Sequence, residues 1–302
     1  MIVKDLLEGT AVLKRKMILE AISPLLLHGF DARDQAETRA PSIKGVLRYW
    51  WRALQSETEG LLSKESRLFG SIGRAGAVAQ KSPLMISVPR IAGSSKYPLR
   101  PQRGRGSGTA TGIKAGTTFA IEFSVLRKNA GLLDEYVDWF EFALLVSGFG
   151  QRARRGYGSL QSTNAGWGTV EEYRTVVEEK IVQLTGKRWH ELKKIGDTEH
   201  PVLRNMWLGT PELSVEKALL AIGEASSRAK ASAGIGEYLL GSISSRRRGI
   251  RRLASPLHVT VRRIDRAYYP IVTEIHPKQH PPQEYRDQRR VFLQRLGVED
   301  NG

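Results

Sequence analysis

Residues 147–160, SGFGQRARRGYGSL, combine backbone freedom with charge: Gly148, Gly150, Gly156 and Gly158 are interspersed with Arg152, Arg154, Arg155 and the ring of Tyr157. Glycines let a backbone approach a ligand closely, and guanidinium groups match phosphate oxygens with a fork of donors. An aromatic in the same loop can stack a base, so the combination suits a nucleic-acid strand. GFGQRA also satisfies the loose dinucleotide pattern G-x-G-x-x-A, which needs a strand entering and a helix leaving. A periodic helix enters here, and RRGYG is too rich in glycine to continue as a helix, so the dinucleotide reading is disfavoured. The plainer competitor is a solvated basic turn.

A second set of residues sits on a helix expected to begin near Ser42, with Pro41 before it and Ser42 as its cap. Ile43, Val46, Leu47, Trp50 and Leu54 repeat at helical spacing and form its core stripe. Opposite them Lys44, Arg48, Trp51, Arg52 and Gln55 fall at i, i+4, i+7, i+8 and i+11. That side is basic with a tryptophan in its middle, and Trp51 is either a stacking ring or a half-buried packing residue. Lys44 lies in the first turn, where a docked anion would convert an unfavourable dipole interaction into a favourable one.

Three further segments are basic: RPQRGRGSGTATG at 100–112, which contains Arg105; SSRRRGIRRLASP at 244–256, which contains Arg247 and Arg251; and RDQRR at 286–290. The first, long and glycine-rich, is expected to be mobile until bound. Lysine and arginine together number 47 against 31 acidic residues, a net charge of +16, so an extended polyanion is the expected partner.

Catalytic signals are thin. The histidines are His28, His190, His200, His258, His276 and His280, and only the last two approach a ligand spacing, within the proline-rich turn HPKQHPP. His28, beside Gly29, is a candidate general base for a nuclease that uses the RNA 2′-hydroxyl, set against the commoner role of a hydrogen-bonding surface histidine. No paired-carboxylate motif stands out. The reading therefore has no catalytic residue, no metal and no cofactor. The chain has no cysteine, which removes disulfides and thiolate chemistry and suits a reducing cytoplasm. The start, MIVKDLLEGTAVLKRK, lacks a signal peptide's apolar core, and no run approaches the roughly 20 apolar residues that span a bilayer. A soluble cytoplasmic protein with no membrane partner is expected.

These residues need a scaffold. KRKMILEAISPLLLHG, from Lys14, reads as a strand running into a loop at Pro24 and Gly29. The basic helix follows, then short strands at 84–91 and 117–126, the second placing Phe119, Ile121, Phe123 and Val125 on one face. LLDEYVDWFEFALLVSG puts Leu133, Tyr136, Val137, Phe140 and Leu144 on one helical stripe, and a last strand is expected at YGSLQS. The order βαββαβ is the ferredoxin-like arrangement, shared with RRM domains, of two helices on one face of an antiparallel sheet. After NAGWG (164–168) the composition turns helical, with strands expected near PVLRNMWL, PLHVTVRRI and YYPIVTEI and a terminal helix near 282–296. The expected fold is α+β, with domains at 1–165, containing the glycine-rich loop, and at 166–302, helix-rich and divergent.

MILEAISPLLLHG, APSIKGVLRYWWRAL, LFGS, SGFGQRARRGYGSL and RLASPLHVTV together resemble the blocks of the RAMP superfamily of CRISPR systems. Within it they are most similar to the family of the Cmr one subunit of the type III-B effector. IKGVLRYWWR and RLASPLHVTV are the more specific blocks, whereas the glycine loop alone indicates only the superfamily. The matched blocks cover most of residues 14–160 and a piece near 252–261; residues 169–243 carry no matching motif. The resemblance implies two ferredoxin-like domains and an RNA-binding subunit that does not cut, placed near the 3′ end of the guide RNA. Its implied partners are guide RNA, target RNA and other Cmr subunits. It also implies that Lys44, Arg48, Trp51, Arg52 and the loop Gly148–Gly158 touch RNA; contacts from Arg252 or His258 are less firmly implied. A RAMP endoribonuclease that processes CRISPR transcripts is the enzyme alternative, although by resemblance its glycine loop lies towards the C-terminus. A ribosome-associated or tRNA-binding protein is the third reading.

Overall fold

The structure is a computed structural model that describes residues 11–29, 35–73, 79–103, 108–234, 237–241 and 253–300. In chain order its first half contains β1 (Val12–Ala21), β2 (Ala36–Glu37), α1 (Ala40–Ala53), α2 (Leu61–Phe69), β3 (Met85–Ser87), β4 (Ala92–Gly93), β5 (Ser95–Pro98), β6 (Thr109–Gly112), β7 (Thr118–Leu126), α3 (Gly131–Val146) and β8 (Leu160–Ser162). The second half contains α4 (Val170–Thr185), α5 (Trp189–Lys193), β9 (Val202–Leu208), α6 (Val215–Ser232), β10 (Leu257–Ile264), β11 (Ala267–His276) and α7 (Gln283–Arg295).

The alternation in β7 places Phe119, Ile121, Phe123 and Val125 in the core, and Phe123 meets Phe140 of α3 with ring centroids 4.9 Å apart. The first sheet has the order β3-β7-β1-β8, with antiparallel pairing throughout. Taking β1, β3, β7 and β8 as the four strands, with α1 and α3 as the crossovers, this is the ferredoxin-like order. The second sheet has the order β10-β11-β9, again antiparallel. With α6 and α7 packed together it forms a βαββα unit, the same topology without a fourth strand among the described residues.

Several local expectations are corrected. α1 starts at Ala40 with Arg39 as its N-cap, so Pro41 lies inside the first turn and Ser42 caps nothing. Proline is tolerated there because the missing N–H has no helical partner in the first turn. The strand expected over 84–91 shrinks to Met85–Ser87, two residues before Pro89. Part of the loop expected to be mobile is ordered, since Thr109–Gly112 pairs with Ser95–Pro98.

The two units share their cores. Leu203, Ile264, Ile271 and Ile275 of the second sheet join the cluster built on α1 and α3, while Ile22, Leu26 and Tyr157 join the cluster built on α6 and β10. Fully buried Arg262 on β10 adds a polar tie, donating from Nε to the Leu145 carbonyl (3.0 Å) and from an Nη to the Ser147 carbonyl (2.8 Å). Those carbonyls end α3, where the helix dipole favours a cation. Even so, burial lowers the Arg262 pKa to about 10. Arg263 makes a bidentate pair with Glu20 at 2.8 and 2.7 Å, which fixes β10 against β1.

Candidate nucleic-acid interface

The glycine-rich loop is wedged between the two units by its own backbone. The Gly158 N–H donates to the Pro24 carbonyl (2.9 Å), that of Gln151 to Leu26 (2.7 Å) and that of Gly156 to Val259 of β10 (2.8 Å). A Cβ at Gly158 would lie 1.8 Å from the Phe149 carbonyl oxygen, one at Gly150 2.5 Å from that of Leu26, and one at Gly148 2.5 Å from that of Tyr157. At Gly156 a Cβ would meet Ile222 and Leu219 of α6 at 2.7 and 2.8 Å. Glycine is required here for the approach of protein to protein, which corrects the expectation that these residues admit a ligand.

The aromatics are corrected in the same sense. Tyr157 is 2% exposed, its hydroxyl donates to the Pro98 carbonyl, and burial pushes its pKa up to about 12. Trp51 is 4% exposed and meets Phe69 of α2 edge-on, with centroids 6.1 Å apart. Neither ring presents a face to a base. Arg155 is likewise committed inward: it donates to the carbonyls of Arg154 (2.7 Å), Leu257 (3.2 Å) and Leu240 (2.5 Å) and to the Ser255 hydroxyl (3.1 Å). It straps the loop to the second unit, and burial lowers its pKa.

On α1, Arg48 and Arg52 both pair with Glu65 of α2, a carboxylate that is 1% exposed. One acid offsets two guanidiniums, leaving about one net charge where two were expected. Lys44 is half-buried, and desolvation followed by the neighbouring Arg48 lowers its pKa. Arg105, Arg247 and Arg251 lie outside the described residues, as does Arg252.

Charge without compensation gathers elsewhere on the loop. Arg154 donates to the Ser255 carbonyl (2.6 Å) and lies 5.5 Å from the Tyr49 ring centroid, so the loop meets α1 at Tyr49, off the helix's basic side. Tyr49 stacks on His258 at 5.0 Å and hydrogen-bonds its Nε2 at 2.9 Å. Burial, then Arg154 and Arg155, holds the His258 pKa well below the usual imidazole value, so the ring is neutral. Arg152 is half-buried with a buried Nε that has no partner, and neighbouring Arg100 and Arg103 are exposed. None of Arg100, Arg103, Arg152 and Arg154 has a carboxylate within ion-pair distance among the described residues.

Sequence reasoning missed Tyr49 and Glu65, and from the basic segment 100–112 it singled out Arg105 where the structure describes Arg100 and Arg103. Glu65 was detectable, because Leu61, Glu65 and Leu68 share one face of a short amphipathic helix at i, i+4 and i+7. Tyr49 carried no signal beyond its type. A separate concavity of about 720 Å³ lies between α3, β8 and α4, lined by Leu144, Trp167 and Val176 and rimmed by Glu171, Glu172 and Glu141, the last paired with Lys180. That acidic rim is the wrong charge for a polyanion. His28 is engaged by the Thr111 carbonyl (3.0 Å) and hydroxyl (3.2 Å). Among the described residues no group of three or more His, Asp or Glu side chains could hold a metal ion, and no helix is long and apolar enough to cross a membrane.

Two ferredoxin-like units locked by a glycine-rich loop whose arginines have no carboxylate partners among the described residues define the class, and the sequence matches the RAMP superfamily over residues 18–161. Over 175 residues the chain is 32% identical to the CRISPR system Cmr subunit Cmr1-2 of Pyrococcus furiosus, covering 47% of this chain and 91% of that protein. The fold matches the crystal structure of Cmr1 from Pyrococcus furiosus in its apo form, with a TM-score of 0.61, 18% identity, and 94% and 97% of the two chains covered. It also matches a chain in the cryo-EM structure of the type III-B Cmr-beta complex bound to cognate target RNA, with a TM-score of 0.60, 12% identity, and 95% and 99% covered. The chain belongs to the Cmr1 family of the RAMP superfamily.

Proposed function

We propose that the protein is an RNA-binding, non-catalytic subunit of a type III-B CRISPR ribonucleoprotein, contacting guide RNA, target RNA or both beside other Cmr subunits. The observation that carries this reading is the set of arginines at 100, 103, 152 and 154, without acid partners among the described residues, where the glycine-rich loop joins the two units. Membership of the Cmr1 family and the fold shared with a chain of an RNA-bound Cmr complex support it. Lys44, Arg48 and Arg52 add a second, partly neutralised patch on α1. Affinity in such a site comes mainly from phosphate contacts, so it falls steeply with salt. The hydrogen bonds of His28 to Thr111 give this imidazole a structural role and disfavour it as a general base. The test is to purify the protein from its host, sequence the RNA that accompanies it, and incubate the protein with repeat RNA. CRISPR-derived RNA recovered uncut supports the reading; ribosomal or transfer RNA, or specific cleavage of the repeat, overturns it.

A further inference from the structure

We propose that Arg100 and Arg152 together hold one phosphodiester group of a single-stranded RNA, at the junction of the β5–β6 hairpin and the glycine-rich loop. This rests on the RNA-binding reading and assigns one contact within it.

Three ties hold the two arginines in place. The Tyr157 hydroxyl donates to the Pro98 carbonyl, which locks the loop to the end of β5, two residues before Arg100. Gln102 Nε2 donates to the Ser227 hydroxyl of α6 (3.0 Å), and the Arg103 N–H donates to the Arg100 carbonyl (2.9 Å), which closes the turn that carries Arg100 and Arg103. On the opposite side, Arg152 is held with φ at 62°, a left-handed conformation that is unfavourable for a non-glycine residue. Strain of this kind concentrates where a side chain has to be aimed for function.

Arg152 is the exception when compared with other buried and half-buried arginines of the described residues. Arg155, Arg204, Arg262 and Arg289 spend their donors on carbonyls or carboxylates. Arg286 and Arg295 also bury an Nε without a partner, but each donates from another nitrogen, to Gln283 and Glu224. No hydrogen bond from the Arg152 side chain to a protein acceptor is present among the described residues, and leaving its buried Nε unpaired is unfavourable. Burial disfavours its charge, and repulsion from Arg100 acts in the same direction. A phosphate between the two guanidiniums would satisfy the donors and relieve the repulsion, since its oxygens accept from two forks at once. Exposed Arg103 and the part-buried Arg154 flank the pair, so the charge extends along the chain of a polymer as well as around a single ion.

The test is fluorescence anisotropy of a labelled single-stranded RNA against the full chain, across a salt series. Arg100→Gln and Arg152→Gln should each weaken binding about tenfold at moderate salt and each lower the salt slope by about 0.7, the value for one phosphate contact on a single strand. Because one phosphate is shared, the double variant should lose little more slope than either single variant. Exposed Arg100 keeps the test valid if Arg152→Gln misfolds. Slope losses that add, or unchanged affinity and slope in a folded Arg100→Gln, would overturn the shared site while leaving RNA binding standing. Failure of the unaltered protein to bind RNA would overturn both.

Discussion

Replacing Arg155 by methionine separates structural charge from functional charge. Methionine keeps the apolar stem against Phe292, whose ring centroid lies 6.0 Å from the guanidinium carbon, and removes only the donors. Lost with them are hydrogen bonds to the Leu240 (2.5 Å), Leu257 (3.2 Å) and Arg154 (2.7 Å) carbonyls and the Ser255 hydroxyl (3.1 Å). A charged hydrogen bond contributes about 1.5–3 kcal/mol, but four made by one group are not additive, and desolvating the guanidinium offsets part of the sum. A net loss of about 3 kcal/mol follows, which for a chain of this size lowers the melting temperature by about 5 °C. The assay pairs a thermal melt with RNA binding across a salt series below the melting range. The expected result is a lower melting temperature with an unchanged salt slope. An unchanged melting temperature with a slope reduced by about 0.7 would make Arg155 a phosphate ligand and refute the division between structural and RNA-facing arginines.

Trp51→Ala should destabilise by about 3–5 kcal/mol as a core truncation, and RNA affinity of the folded fraction, measured by anisotropy, should stay the same. Glu65→Gln removes the carboxylate that Arg48 and Arg52 share; with both arginines some 40% exposed, solvent screening limits the stability loss to about 1–2 kcal/mol by urea unfolding. The same substitution uncovers a positive charge and should raise RNA affinity, with a steeper salt slope. Neutral His258 makes stability depend on pH: its folded pKa lies below the unfolded value near 6.5, so the unfolded chain takes up the proton first. Stability is therefore full above pH ~6.5 and falls below it, by up to about 1.4 kcal/mol per pH unit. His276, shifted in the same direction, contributes to this slope, so His258→Gln should flatten the acid side of the stability profile without abolishing it.

The first unit was legible because its strands and helices announce themselves by period. Strict alternation in 119–125 and the stripe Leu133, Tyr136, Phe140 and Leu144 each have one consistent placement, and βαββαβ follows from their order. The site was less legible, because what each arginine does depends on partners far along the chain. Arg155 and Arg152 stand three residues apart in one loop. One finds acceptors at Leu240, Ser255 and Leu257, the other finds none among the described residues, and nothing local in RARRG distinguishes them. Trp51 was misjudged for a related reason: it borders the apolar stripe of α1, and α2, unforeseen, supplies Phe69 to cover it and Glu65 to neutralise its neighbours. Glycine content predicted close approach correctly but not its object, which is the carbonyl row of Pro24 and Leu26.

RNA is expected to lie against Arg100, Arg103, Arg152 and Arg154, where the β5–β6 hairpin meets the glycine-rich loop. Photocrosslinking of 4-thiouridine-labelled RNA to the intact protein, with the attached peptides identified by mass spectrometry, tests it most directly. Crosslinks on peptides spanning 97–103 and 149–157 are the predicted result; crosslinks confined to the acid-rimmed concavity between α3 and α4, with none at the hairpin or loop, would contradict it.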